Sequence, residues 1–161
     1  MISDTLAKQF ELSAYTLAQN LEGLDHEDSL ARPAGGGNCI NWVLGHLVAT
    51  RNSVHALLGL EPALAADVAA VYGRGADGDV TGGLELPALR AAYEGSQARL
   101  GPALAALGDA GLARGTGEPS PITGSNVIGV NLAALAFHEA YHAGQVGSLR
   151  RLAAGRAGAL E

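Results

Sequence analysis

Apolar residues recur at three- and four-residue steps along four long stretches of the chain, and Gly/Pro-rich segments separate those stretches. The first helix is predicted from Ser3 to Glu22. Leu6, Phe10, Ser13 or Ala14, Leu17 and Leu21 share one face of it. Ser3 or Asp4 can cap its start, and Gly23 can stop it. Residues 31–37 (ARPAGGG) cannot continue a helix, because Pro33 and the glycines break it. Asn38 then reads as the N-cap of a second helix over about 39–58, ended by Gly59. Its inward face is expected to carry Cys39, Trp42 or Val43, His46, Thr50, Ser53 and Leu57.

Residues 62–72 predict a short helix with Pro62 in its first turn, and residues 73–83 a flexible connection. A third long helix begins near Pro87 and runs to about Leu107, with Leu86, Leu89, Tyr93, Ser96, Leu100 and Leu104 on one face. Gly101–Pro102 is a candidate kink or early end. Residues 108–125 read as a loop. The last helix is expected from Ser125 or Asn126 to about Gly155. Gly129, Gly144 and Gly147 weaken it by roughly 1 kcal/mol each relative to Ala, and close helix contact would account for them. No useful strand alternation and no internal repeat interrupts this pattern. The expected fold is all-α: one domain over residues 1–161, with four main helices packed as a bundle.

Composition narrows the picture. Hydrophobic residues make up 48% of the 161, which excludes disorder, and aromatics only 4%, so the core must be built from Leu, Ala and Val. The net charge of −6 and the lack of a dense Lys/Arg run argue against nucleic acid as a partner. No stretch approaches the roughly 20 apolar residues that span a bilayer, so no membrane partner is expected. A single cysteine, Cys39, and a charged N-terminus without the apolar run of a signal peptide point to a reducing cytoplasm.

The chemistry concentrates in residues 137–145, FHEAYHAGQ. His138 and His142 stand four apart on a predicted helix, about 40° apart and one turn above the other. Two imidazoles so stacked can bind one metal ion, which is why the spacing recurs in zinc sites. Gln145 lies about 20° from His138 at the helical step, and Leu135 and Leu149 continue the face, so the pair should look inward. Neutral imidazoles in a bundle need partners, and a metal satisfies both rings at once. A third ligand should come from a facing helix. His46 is the best placed, whereas His55 is about 180° around from it at the helical step and His26 falls in a predicted loop. Three histidines leave a coordination position open, the pattern of catalytic sites. Against this stands the plain alternative that a lone histidine on an apolar face is a satisfied core residue; the pair and His46 on opposed inward faces outweigh it.

HEAYH also matches the H-E-x-x-H pattern of zinc hydrolases, with Glu139 as general base. The longer form fails, since Gln145 and Ser148 stand where Gly and His are needed, and no strand precedes the motif to align a peptide.

Residues 38–47 (NCINWVLGHL), followed by residues 137–152 (FHEAYHAGQVGSLRRL), resemble the paired signature of the DinB/YfiT-like family. The second motif is the more specific. The N-terminal helix and the length also fit, so the resemblance covers nearly the whole chain. It implies a four-helix bundle in up-down-down-up order, with one divalent metal, zinc or nickel, on His46, His138 and His142. It further implies a homodimer acting on a small-molecule substrate. Characterised members use low-molecular-weight thiols, as mycothiol- or bacillithiol-dependent transferases and a maleylpyruvate isomerase. The implied function is therefore a metal-dependent S-transferase or isomerase acting on small electrophiles. The alternatives are a non-catalytic metal-binding stress or interaction bundle and, behind it, the zinc hydrolase.

The remaining candidates carry less. Glu139 and Gln145 are candidates to orient a ligand or a metal-bound water, and either can equally serve helix packing. Tyr141 and Trp42 read as packing residues. Cys39, near a helix start, reads as a small buried hydrophobe or a thiol of lowered pKa. Arg150 and Arg151 suit the dipole of the last helix. The loops at 31–37, 73–83 and 108–124 are expected to shape a pocket mouth.

Overall fold

The computed structural model describes residues 1–75 and 78–154. The described residues are all-helical, with six helices and no strand: α1 (Ile2–Leu21), α2 (His26–Leu30), α3 (Ile40–Leu58), α4 (Ala66–Val71), α5 (Leu86–Leu112) and α6 (Ile128–Ala154). An isolated bridge joins Gly115 to Val127. Each of the long helices α1 and α3 packs against both α5 and α6. None of the described helices is long and apolar enough to cross a membrane.

Helix ends are tied by tertiary contacts more than by local caps. α1 starts at Ile2, so Ser3 and Asp4 lie inside its first turn and are not its caps. The Ile2 and Ser3 amides instead donate to the Asp109 carboxylate at 3.2 and 2.9 Å. At the other end of α1, Arg150 donates to the carbonyls of Asn20 and Glu22, both at 2.8 Å. Arg150 therefore neutralises the C-terminal dipole of α1 rather than that of its own helix.

Other boundaries move for identifiable reasons. α3 has Cys39, not Asn38, as its N-cap. α4 is shorter than the 62–72 expected, because the Asn52 side chain holds residues 63 and 64 in a turn. It accepts from the Ala63 and Leu64 amides at 2.7 and 3.1 Å and donates to the Leu64 carbonyl at 2.9 Å. α5 runs helically through Gly101 and Pro102; its interruption is at Gly108, φ 61° and ψ 176°, a conformation open to glycine. The turn beyond Gly108 supplies Asp109 to α1. His26 opens α2 behind an Asp25/Asp28 capping box, where a loop was expected. α6 begins two residues after Asn126, and its expected end at Gly155 lies outside the described residues.

The apolar interior falls into two clusters. One gathers Leu17, Leu21, Leu44, Leu47, Tyr93 and Val146, among others. The second gathers Leu6, Phe10, Val54, Leu100, Leu104 and Leu132. Between them in sequence, each long helix contributes a buried polar residue: Ser13, Arg51, Ser96 and Glu139. This divide corrects the expected inward face of α3. Ser53 is exposed and Thr50 half-buried, while Leu47, Val48, Arg51 and Val54 are buried. Gly147 backs onto the Asn20 side chain and Gly129 onto Leu112, so both serve close contact; Gly144 faces open space.

Candidate metal centre

α3 and α6 bring His46, His138 and His142 together, with one ligand atom from each within 4.8 Å of the others. His46 Nε2 and His138 Nε2 stand 3.1 Å apart. The rings meet edge-on, with centroids 5.1 Å (His46–His138), 5.1 Å (His46–His142) and 4.4 Å (His138–His142) apart. All three are half-buried. Nitrogens sharing an ion at about 2.0–2.1 Å, at angles between octahedral and tetrahedral, stand roughly 2.9–3.3 Å apart. The His46–His138 spacing falls inside that range.

Two of the rings are oriented from behind. The Nδ1–H of His46 donates to the Tyr72 carbonyl at 2.8 Å, which leaves the Nε2 lone pair aimed at the cluster. Trp42, one turn earlier in α3, stacks on the same ring at 5.0 Å and 7°. The Nδ1–H of His142 donates to Gln145 Oε1 at 2.7 Å, again freeing Nε2. His138 Nδ1 is buried without a partner. Without an ion, a proton on His138 Nε2 can bridge to His46; with one, that proton must leave.

Electrostatics favours neutral rings. Burial lowers the His138 pKa to about 4, helped by His142, His46 and Arg74. Burial also lowers that of His142, and the Gln145 hydrogen bond opposes it in part. Neutral imidazoles present lone pairs near pH 7, as a metal requires. The residues therefore fit a divalent ion, and imidazole suits zinc, nickel, iron and copper alike.

Glu139 takes no part in orienting these rings. Its carboxylate is buried against Arg51 at 2.5 and 2.6 Å, and Tyr93 donates to it at 2.7 Å. Arg51 also reaches Gln97 Oε1 at 2.8 Å and lies over the rings of Phe10 and Tyr93. Burial would lower the Arg51 pKa, but the neighbouring carboxylate outweighs it and raises it. Burial, then Glu139, pushes the Tyr93 phenol well up. The zinc-hydrolase reading thus loses its base. His55 lies apart from the cluster, as its angle required, yet is buried: its ring nitrogens meet Ser96 Oγ and the Glu61 carbonyl, each at 2.7 Å. Tyr141 is 64% exposed rather than packed, and its ring meets the edge of His142. Cys39 is a buried free thiol.

Sequence reasoning missed Tyr72 and Arg51. Tyr72 closes over Gly45, where a Cβ would collide with its ring, and its hydroxyl accepts from the Leu84 amide at 2.6 Å. A glycine inside a helix directly before His46 was the available signal. Tyr72, whose carbonyl meets His46, directly precedes the 73–83 loop.

Against known families, the profile described as DinB superfamily matches residues 9–146. No curated protein matches the chain.

Proposed function

The chain belongs to the DinB superfamily, and from that premise we propose that it is a metal-dependent enzyme. Its divalent ion, zinc or nickel, is held by His46, His138 and His142. Its reaction is a thiol-dependent transfer or isomerisation of a small electrophile, with a low-molecular-weight thiol as co-substrate. The observation that carries the reading is three imidazoles converging, two of them fixed from behind by Tyr72 and Gln145. A divalent ion bound there would lower the pKa of a coordinated thiol or water. The protein's part is orientation: Tyr72 and Gln145 hold the outer nitrogens, and Trp42 shields one face of His46. Three protein ligands leave room for substrate.

The same reading takes the four long helices as an up-down-down-up bundle, supported by the packing of α1 and α3 against both α5 and α6. A reducing, cytoplasmic setting agrees with the single free thiol. The proposed partner is a second copy. The outer face of α6, with Val130, Ala133, Phe137, Tyr141, Gly144 and Ser148, is exposed and uncharged in a chain of net charge −6. Phe137→Glu should shift the sedimentation coefficient from dimer to monomer; a wild type already monomeric at high concentration refutes the dimer.

A metal-stabilised, non-catalytic bundle is the second reading. It is favoured by the engagement of Glu139 with Arg51, which removes the nearest carboxylate in the sequence from the site. Both readings stand on metal binding, which is measured directly. The purified protein should carry about one ion per chain, and His46→Ala should lose it. Undiminished metal in that variant sinks the three-ligand assignment. Turnover of thiol and electrophile pairs, lost with the metal, separates enzyme from bundle.

A further inference from the structure

We propose that the Tyr72 phenol is a positioning group for the metal centre: clasped to Leu84, it holds its own backbone carbonyl on His46 and so sets how tightly the ion is bound. The inference rests on the metal-dependent reading above and deepens it. The partner of His142 is Gln145, three residues on in the same helix, and the helix itself brings the two together. The partner of His46 is a main-chain carbonyl 26 residues away. That carbonyl belongs to the C-cap of α4, a helix of six residues. So short a helix is marginal alone and cannot by itself hold its last carbonyl on a ring of α3. Tyr72 needs a further anchor.

Its side chain supplies one. Tyr72 is fully buried. Its hydroxyl accepts from the Leu84 amide at 2.6 Å and lies 3.4 Å from the Leu84 carbonyl, to which it donates. The Asn41 side-chain amide donates to that same carbonyl at 3.0 Å. Two glycines make room for the phenol: a Cβ at Gly45 would collide with the ring, and one at Gly83 with the hydroxyl. α3 thus grips Tyr72 at three levels. His46 takes the carbonyl, Gly45 admits the ring, and Asn41 reaches the hydroxyl through Leu84. A hydrogen bond on the outer nitrogen fixes the tautomer and orientation of a ligand imidazole and raises its basicity. Losing such a partner costs roughly 10–100-fold in metal affinity.

The test uses the full chain and reads two quantities. Zinc affinity is measured by competition with a chromophoric chelator. The tautomer of each imidazole is measured in metal-free protein by nitrogen–proton correlation spectra. Tyr72→Phe removes the hydroxyl and nothing else. It should weaken zinc binding by about tenfold. It should also move a share of the His46 protons from Nδ1 to Nε2, while His142 keeps its proton on Nδ1. Gly83→Ala, outside the helices, presses on the same hydroxyl and should act in the same direction. Either reading unchanged in Tyr72→Phe overturns the proposal, whatever happens to the melting temperature, because a merely structural phenol would alter only the latter. Should Tyr72→Phe not fold, Gly83→Ala is judged by the same two readings. A wild type that binds no zinc overturns the metal reading, and this proposal falls with it; a wild type that binds zinc no better than Tyr72→Phe overturns this proposal alone.

Discussion

α6 delivers two consecutive residues, His138 and Glu139, to two polar clusters finished in opposite ways. Glu139 enters a closed one: both carboxylate oxygens meet Arg51, Tyr93 adds a third donor, and all three residues are buried. His138 enters an open one: half-buried, its Nδ1 unpartnered, its Nε2 facing another nitrogen. A buried charge is tolerated only when paired and fully hydrogen-bonded, and the Arg51–Glu139 pair meets that condition within the chain. The imidazoles do not, and an incomplete polar cluster that the fold nonetheless assembles is where a ligand belongs.

The two clusters are also coupled. Arg51 lies five residues beyond His46 in α3, and Glu139 directly follows His138 in α6. The ion pair therefore fixes how α3 lies along α6, and with it the meeting of His46 and His138.

The strongest way to break the comparison is to open the closed cluster. Glu139→Ala strands the Arg51 guanidinium among Phe10, Tyr93 and Ser96 and should cost about 3–5 kcal/mol, read by chemical denaturation. The double variant Arg51→Met, Glu139→Leu should recover most of that loss, together with metal uptake, because apolar side chains of similar volume can keep α3 packed on α6 in the pair's place and the pair does not touch the ion. In metal-free protein, His138→Ala should cost only about 1 kcal/mol or less, since it removes a half-buried ring with an orphaned nitrogen. Equal losses for Glu139→Ala and His138→Ala would erase the distinction between the clusters.

The open cluster was the more legible in sequence. The i, i+4 spacing of His138 and His142 is fixed by the helix itself, and His46 required only that one helix face another. The closed cluster was hidden because it spans three helices. Arg51 falls one residue from Thr50 and two from Ser53, so a small error in the rotation of α3 put the wrong residues inside. Glu139 was visible, but its partner was not, and the H-E-x-x-H pattern drew it toward the metal. The four long helices followed from period alone, whereas the one-turn α2 did not. The ends did not, because Asp109, Asn52 and Arg150 tie them from far along the chain.

The smallest expected effect separates the clusters by their protons. In metal-free protein, His138 titrates near 4 when folded and near the ordinary 6.5 when unfolded, and His142 is lowered in the same direction. The unfolded chain therefore binds more protons than the folded one between those values. Stability must rise with pH through that window and flatten above it. As pH falls from about 6.5 toward 4, the contribution of these neutral rings is lost. Urea midpoints measured across pH 4–7 should show the slope in the wild type and a shallower one in His138→Ala. The Arg51→Met, Glu139→Leu double variant should keep the wild-type slope, because the imidazoles are untouched. A slope unchanged by His138→Ala would place the titrating groups elsewhere, and the claim of neutral, lone-pair-ready rings would lose its support. Saturating zinc should sharpen the dependence: protons then compete with the ion for the same nitrogens, and acid removes the metal's stabilisation along with that of the rings.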